Sequence, residues 1–452
     1  MNSIGASKRA ELIKIAIPAI LESMVAVIVA AIDTEMISGL GFDTVAAVSL
    51  TSQPKMFVLS IFTALGIALS FFVAQANGRS NKEEANKYFH TILWAGIVLS
   101  VVVGLLFFVF SKQIMLICTK RNDTVDISVS FIRIVVGLVV FQNTSTILNS
   151  ALRGIGRTHY TFISSIANAV IDIFVNYLLI EGHWGCPALG VVGDAIATVA
   201  GSAAGCAISI VAIIIHSDFI SFKGFFAFKY TRDREINLNI CRKASSIVFE
   251  NMFMRIGFLI MNYLVSSFDP DDVAIYGISM IPMGYSFAFG DGLSAATIAL
   301  CGKSIGAEDY KSFREYKKQA LITGVALSAL LCVTYLSGSR WFYARYTDIP
   351  EKIGEGVISC YFISAITLFQ ILRIVAIGAL RATGEVKDPR RITTVSVLII
   401  NPILAYLFAF ILGWEIWGIW TSTLLTQITN MVLSTLCLRH HLKELPLAKE
   451  AT

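Results

Sequence analysis

Glu22, Asp33 and Glu35 stand in one otherwise apolar stretch of the chain, and Asn168, Asp172 and Asn176 recur at intervals of four in another. Glu22 and Asp33 are eleven residues apart, close to three turns of helix, so one helical face carries both. Asn168, Asp172 and Asn176 make a polar stripe one residue wide. Two such stripes around a small wet cavity could bind Na⁺ through carboxylate and amide oxygens. They could also relay a proton through a desolvated carboxylate. The asparagines could instead serve as hydrogen-bonding glue between helices. Glu35 lies near the end of its stretch, where water can solvate it. No other metal-binding set is expected.

A second group of charges comprises Glu250, Arg255, Asp291 and Arg373. They could neutralise one another between helices, or Glu250 could be a second cation or proton site. Arg133 is read as snorkelling to an interface. Aromatic and thioether side chains gather near Glu250, among them Phe253, Met254, Tyr263 and Tyr285. Soft, flat groups beside a carboxylate suit lipophilic organic cations, although filler facing lipid has the same composition.

These polar residues are conspicuous because the chain around them belongs in lipid. Of 452 residues, 56% are hydrophobic and 15% charged, against roughly 25% charged in an average soluble domain. An ionisable group in the hydrocarbon core costs roughly 2.5–3.5 kcal/mol on insertion scales, so each needs a partner or a task. Twelve stretches, from 12–36 to 416–437, are long enough to span a bilayer, which takes about 20 helical residues. The expectation is an all-α integral membrane protein. The first stretch lacks a small-residue cleavage site and reads as a span, without a signal peptide. The expected loops on one side hold 26 of the 36 lysines and arginines, and those on the other hold six. Lys55, Arg133, Arg255 and Arg373 fall within spans. This bias puts both termini in the cytoplasm of a multi-pass cell-membrane protein. The net charge of +5 reports that topology, and no nucleic-acid partner is implied.

The second half repeats the first at a shift of 228. Glu22 meets Glu250, Pro54 meets Pro282, and Gly78 meets Gly306. Ala151-Leu152-Arg153-Gly154-Ile155-Gly156 meets Ala379-Leu380-Arg381-Ala382-Thr383-Gly384. Six spans per repeat give both halves the same orientation, hence two pseudo-symmetric six-helix bundles. The expected division is an amino-terminal lobe over 1–216, a basic cytoplasmic linker over 217–242, a carboxy-terminal lobe over 243–438 and a tail over 439–452. Pro54 and Pro282 break matching helices and could act as hinges. Parallel repeats of this kind usually bind solute between halves, so the chain reads as a transporter whose partners are the bilayer and small lipophilic or cationic solutes. It is taken as a monomer.

Other classes find little support. The six histidines lie at span ends, in loops or in the tail, without metal-ligand spacing inside a span. HExxH, GxSxG and the phosphate-binding GxxxxGK[ST] are absent from the sequence, so no enzyme is indicated. Uphill transport must then draw on an ion gradient, with Na⁺ or H⁺ as coupling ion and no cofactor. The eight cysteines form no CxxC pair and read as small packing residues. A lipid-linked sugar flippase would line its cavity with several Arg or Lys. A receptor or scaffold without transport would bind ligand independently of any gradient.

Ile17-Pro18-Ala19-Ile20-Leu21 followed by Ile32-Asp33-Thr34 and Gly39-Leu40-Gly41 resembles the first span of multidrug and toxic compound extrusion (MATE) transporters. Ala151 to Thr158 resembles their loop after span four, and Tyr177-Leu178-Leu179-Ile180 with Pro187-Ala188-Leu189-Gly190-Val191 resembles spans five and six. The likeness covers essentially the whole chain. It implies two six-helix lobes that export cationic or amphipathic compounds in exchange for Na⁺ or H⁺ by alternating access. By motif position it makes Asp33 the first-span acid of the amino-lobe coupling site and Glu250 the acid of the seventh span. The family pattern in span five places an Asn four residues before an Asp. Here Asp172 precedes Asn176, so the charge is kept but moved by about one turn. Asp194, Glu35 and Arg255 depart from the pattern.

Overall fold

Apolar runs of this length have one way to satisfy their backbone in lipid, which is to become helices. The computed structural model describes residues 2–118, 122–225 and 233–444, with no strand among them. Parts of the expected linker and tail lie outside the described residues, as do Lys120, Arg121, Lys229, Arg232 and Lys449. The helices are α1 (Asn2–Ser38), α2 (Phe42–Gly78), α3 (Lys82–Cys118), α4 (Asn122–Gly137), α5 (Val139–Gly154), α6 (Thr158–Leu179) and α7 (Val191–His216). There follow α8 (Arg234–Val265), α9 (Pro270–Gly306), α10 (Tyr310–Tyr343) and α11 (Pro350–Ala382). Next, α12 (Lys387–Thr393) and α13 (Asn401–Tyr406), joined by π-helical Thr394–Ile400 and extended by π-helical Leu407–Ile411, form one span, Lys387–Ile411. The last helix is α14 (Glu415–Glu444).

Among the described residues ten helices are long and apolar enough to cross a membrane, or eleven if α4 and α5, bent by 43° where they meet, are taken as one span. The bend interrupts what the sequence presents as a single fourth span. A Cβ on Gly104 of α3 would stand 2.6 Å from the carbonyl oxygen of Gly137, so α3 and α4 touch backbone to backbone just before the bend. The twelfth expected span lies in α14, which is long enough but carries the polar series Ser422, Thr426, Gln427, Asn430 and Ser434, all buried. By contrast, α2 and α9 run through Pro54 and Pro282 without the expected break. A proline removes one helical hydrogen bond, and hydroxyls can cover freed carbonyl groups. The carbonyl freed by Pro282 is that of Ile278, one turn earlier, whereas the Pro282 carbonyl itself takes extra bonds from Tyr335 Oη at 2.7 Å and Ser286 Oγ at 3.2 Å.

The chain divides into two compact units, one of Leu21–Val248 and one of Met1–Ile20 with Phe249–Thr452. The divisions fall inside α1 and α8, at positions 228 apart, rather than in 217–242. The start of α1 packs with the second unit for visible reasons. Lys8 donates to Tyr316 Oη at 2.9 Å, Tyr316 donates to Glu11, and Gly292 lets α9 press against the backbone of Ile20. In the first unit, residues after α7 are pinned to α3: Asn86 donates to the Phe219 carbonyl at 3.1 Å, and Trp94 Nε1 to that of Phe225 at 3.0 Å.

The repeat is present in the backbone itself. Left-handed conformations occur at Ser80 and Glu308, at Gly156 and Gly384, and at Gly185 and Gly413, each pair 228 residues apart. Gly156 (φ 81°) and Gly384 (φ 83°) cap α5 and α11 in the same way. Their amides donate to the carbonyls of Arg153 and Arg381 at 2.9 and 2.8 Å. A Cβ would strain this turn, which explains the shared final glycine of the two segments.

Candidate functional site

Small residues on α7 bring α6 unusually close. A Cβ on Gly193 would meet the Leu179 carbonyl oxygen at 2.6 Å, and one on Gly201 would meet Asn168 Oδ1 at 2.6 Å and Asp172 Cβ at 2.9 Å. This close packing, typical of small-residue helix interfaces, sets the stripe of α6 beside Asp194 in the first turn of α7. From α1, Asp33 reaches the same place, and Asn176 Nδ2 donates to its Oδ1 at 3.1 Å. Lys55 of α2 completes the set, in electrostatic contact with Asp33, Asp172 and Asp194.

Asp172, Asn176 and Asp194 are all but fully buried, while Asp33 is partly exposed. One oxygen on each of the three buried residues, Oδ1 of Asp172, Asn176 and Asp194, has no hydrogen-bond partner. An unsatisfied buried acceptor costs roughly 1–3 kcal/mol, and here three of them share one site. With every group ionised, three carboxylates face one ammonium, leaving two negative charges to be balanced. Protons can do this, and so can a small hard cation, which takes oxygen ligands.

Of the residues singled out in the sequence, Asp33, Asp172 and Asn176 meet in this cluster, and Asn168 adjoins it through Gly201. Lys55 and Asp194 belong to it without having been assigned there. Glu22 is held elsewhere. Arg153 Nη1 pairs with its Oε1 at 3.2 Å, and Thr161 Oγ1 donates to its Oε2 at 2.5 Å. Glu250 is bound in the same manner: Arg381 Nη2 pairs with Oε2 at 2.9 Å and Thr393 Oγ1 donates to Oε1 at 3.3 Å. Since Glu22 and Arg153 correspond to Glu250 and Arg381 at the shift of 228, this is one ion pair built twice. Arg373 stands in electrostatic contact with Glu250 and Asp291, and Arg255 with Asp291. Phe253, Met254 and Tyr285 are half-buried in the second unit, whereas Tyr263 is 74% exposed.

The acid cluster is not duplicated. At the same shift, Asp33 corresponds to Met261, Lys55 to Met283, Asp172 to Ile400, Asn176 to Leu404 and Asp194 to Ser422. Met261 and Met283 sit in an apolar core around Trp420. The fold therefore does not require charge at these positions, and the first repeat holds it there against a solvation cost.

The MatE family profile matches residues 18–178 and again 246–407. The second match starts 228 residues after the first, an independent registration of the repeat. This chain belongs to the MatE family. MatE members are transporters, so this protein is a membrane transporter and not an enzyme. An uncharacterized transporter of Bacillus subtilis, YisQ, is 22% identical over 401 residues, which cover 89% of this chain and 88% of that one. A probable multidrug resistance protein NorM of Thermotoga maritima is 22% identical over 432 residues, covering 95% and 91%. The fold superposes on a crystal structure of MATE in a bent conformation with a TM-score of 0.88 at 17% identity, over 98% of this chain and 97% of that one. The two-lobe MATE fold is thus shared even where side chains have diverged.

Proposed function

We propose that this MatE protein is a secondary active exporter of lipophilic or cationic compounds, exchanged for an ion bound at Asp33, Asp172, Asn176 and Asp194. The observation that carries the reading is the trio of buried, unpartnered oxygens in the first repeat, at positions where the second repeat has Ile400, Leu404 and Ser422 and so neither carboxylate nor amide. An ionisable group kept at such cost within a span marks an ion or proton path. Relatives named as probable multidrug resistance proteins agree with efflux as the direction of transport.

Lys55 bears on the identity of the ion. Its ammonium already supplies one positive charge among the three acids. Protons on the carboxylates balance the remainder without a coordination shell of their own, which favours H⁺ over Na⁺. In this scheme, proton binding at the acids and solute binding alternate as the transporter changes access. Both termini lie in the cytoplasm, and Phe253, Met254 and Tyr285 offer soft surface for the solute. Glu22 and Glu250 serve as architectural ion-pair partners.

The test is export of a fluorescent lipophilic cation from proteoliposomes under an imposed pH gradient, and separately under a Na⁺ gradient. Export driven by the pH gradient, lost in Asp172→Asn and Asp194→Asn, is the expected result. Full ion-driven export in both variants would remove the cluster from the mechanism.

A further inference from the structure

Outside the acid cluster, a second set of chemically capable side chains converges at the basic end of the second unit. Cys437 and His441 lie four residues apart on α14 and so on one helical face. Asp388, in the first turn of α12, faces them. Its Oδ2 stands 2.9 Å from Cys437 Sγ and 2.8 Å from His441 Nε2. One sulfur, one nitrogen and one oxygen thus lie within 4.8 Å of one another. Arg391 Nη1 holds the other oxygen, Oδ1, at 3.3 Å, which fixes the direction in which the carboxylate presents Oδ2. The Glu385 carboxylate, on the turn before α12, adds negative charge near Cys437.

We propose that Asp388, Cys437 and His441 form a binding site for a borderline divalent transition metal such as Zn²⁺. Mixed thiolate, imidazole and carboxylate donors suit Zn²⁺ or Co²⁺, whereas Mg²⁺ and Ca²⁺ select oxygen alone. Three protein ligands leave a fourth tetrahedral position for water or another side chain. The short contacts to one carboxylate oxygen are those of the protonated, metal-free arrangement, with the thiol and the imidazole as donors. Metal binding displaces the thiol proton, and His441 then binds through Nε2 with its proton on Nδ1. Arg391, bonded to the oxygen left over, is the outer partner that such ligands regularly have. A bound ion ties the end of the last helix to the turn that opens the preceding span, so occupancy stiffens one end of this unit.

The experiment uses the full chain, purified in detergent through a tag without histidine and titrated with Co²⁺. The expected result is one Co²⁺ per chain, with a thiolate-to-cobalt charge-transfer band in the near ultraviolet that Zn²⁺ abolishes. Cys437→Ser should lose that band, and His441→Gln and Asp388→Asn should each weaken binding by about tenfold or more. His440→Gln and Cys241→Ser, at the neighbouring histidine and an exposed cysteine, should leave both unchanged. Absence of stoichiometric binding in the parent protein would overturn the proposal, and so would a band that persists in Cys437→Ser. Thermal scans of each variant without metal establish that it is folded.

Discussion

Glu250→Gln separates an architectural role from a coupling role for this acid. In the folded protein Glu250 pairs with Arg381 at 2.9 Å, with side chains only 5% and 12% exposed. Arg373 lies in electrostatic contact as well. Removing one partner of a buried pair costs roughly 3–5 kcal/mol, because the remaining charge stays desolvated. Two guanidinium groups share the lost carboxylate here, so a loss of about 4 kcal/mol is expected. The equivalent Glu22→Gln should cost less, about 2 kcal/mol, because Arg153 keeps 24% of its side chain in contact with solvent. Reversible unfolding in mixed detergent micelles measures both. A cycle with Arg381→Gln should recover much of the loss in the double variant, with a coupling energy above about 1 kcal/mol. Unchanged stability in Glu250→Gln, together with a lost ion dependence of export, would refute the architectural assignment and return Glu250 to the transport site.

Other perturbations test neighbouring parts of the argument. Lys55→Met removes the resident ammonium from the acid cluster, so Na⁺ should gain the ability to drive export; paired Na⁺ and pH gradients in proteoliposomes report this. Gly201→Ala forces a methyl group to within 2.6 Å of Asn168 Oδ1 and 2.9 Å of Asp172 Cβ. It should cost about 1–3 kcal/mol in unfolding measurements and weaken ion-driven export with every acid still present. Asp309 caps α10, its side chain accepting from the Ser312 amide at 3.0 Å, and that bond holds its carboxyl below the usual 3.8. A carboxyl with a lowered folded pKa stabilises above its unfolded value and loses that contribution as pH falls through the folded one. Asp309→Ala should therefore lower stability by about 1 kcal/mol at neutral pH, with the difference from the parent shrinking below about pH 4 in thermal scans at stepped pH.

The spans and the repeat were legible because both are written in runs and spacings, which a sequence displays directly. The bend in the fourth crossing was not, since it lies beside a close approach of Gly104 and Gly137, which sit on different helices and far apart in sequence. Asp33, Asp172 and Asn176 were recognisable as acids and amides on helical faces inside apolar stretches. Lys55 and Asp194 escaped because each is a single charge in its own span, with no local pattern to place it beside the others. The approach of α6 to α7 through Gly193 and Gly201 brings Asp194 to the stripe, while Lys55 joins from α2. Glu250 read equally as a second cation or proton site and as one member of a neutralising set of charges. Yet the shift that aligned Glu22 with Glu250 also aligned Arg153 with Arg381, while leaving Asp33 opposite Met261. Sorting acids by whether the repeat conserves a partner for them separates the structural pair from the cluster. Cys437 and His441 share a helical face, but their partner Asp388 stands 49 positions from Cys437 in the sequence, so spacing alone does not display the set.

The twofold Glu–Arg pair also says something about ancestry. A feature present at equivalent points of both halves is what the doubling of a half-length ancestor leaves behind, and the repeated left-handed turns fit the same origin. The acids around Asp33 exist in one half only and mark where the copies parted. One copy carries charge where the other has methionine, isoleucine, leucine and, opposite Asp194, the uncharged Ser422. A transporter with similar scaffolds in its two halves can thus be chemically lopsided, with its buried acid cluster on one side of the repeat alone.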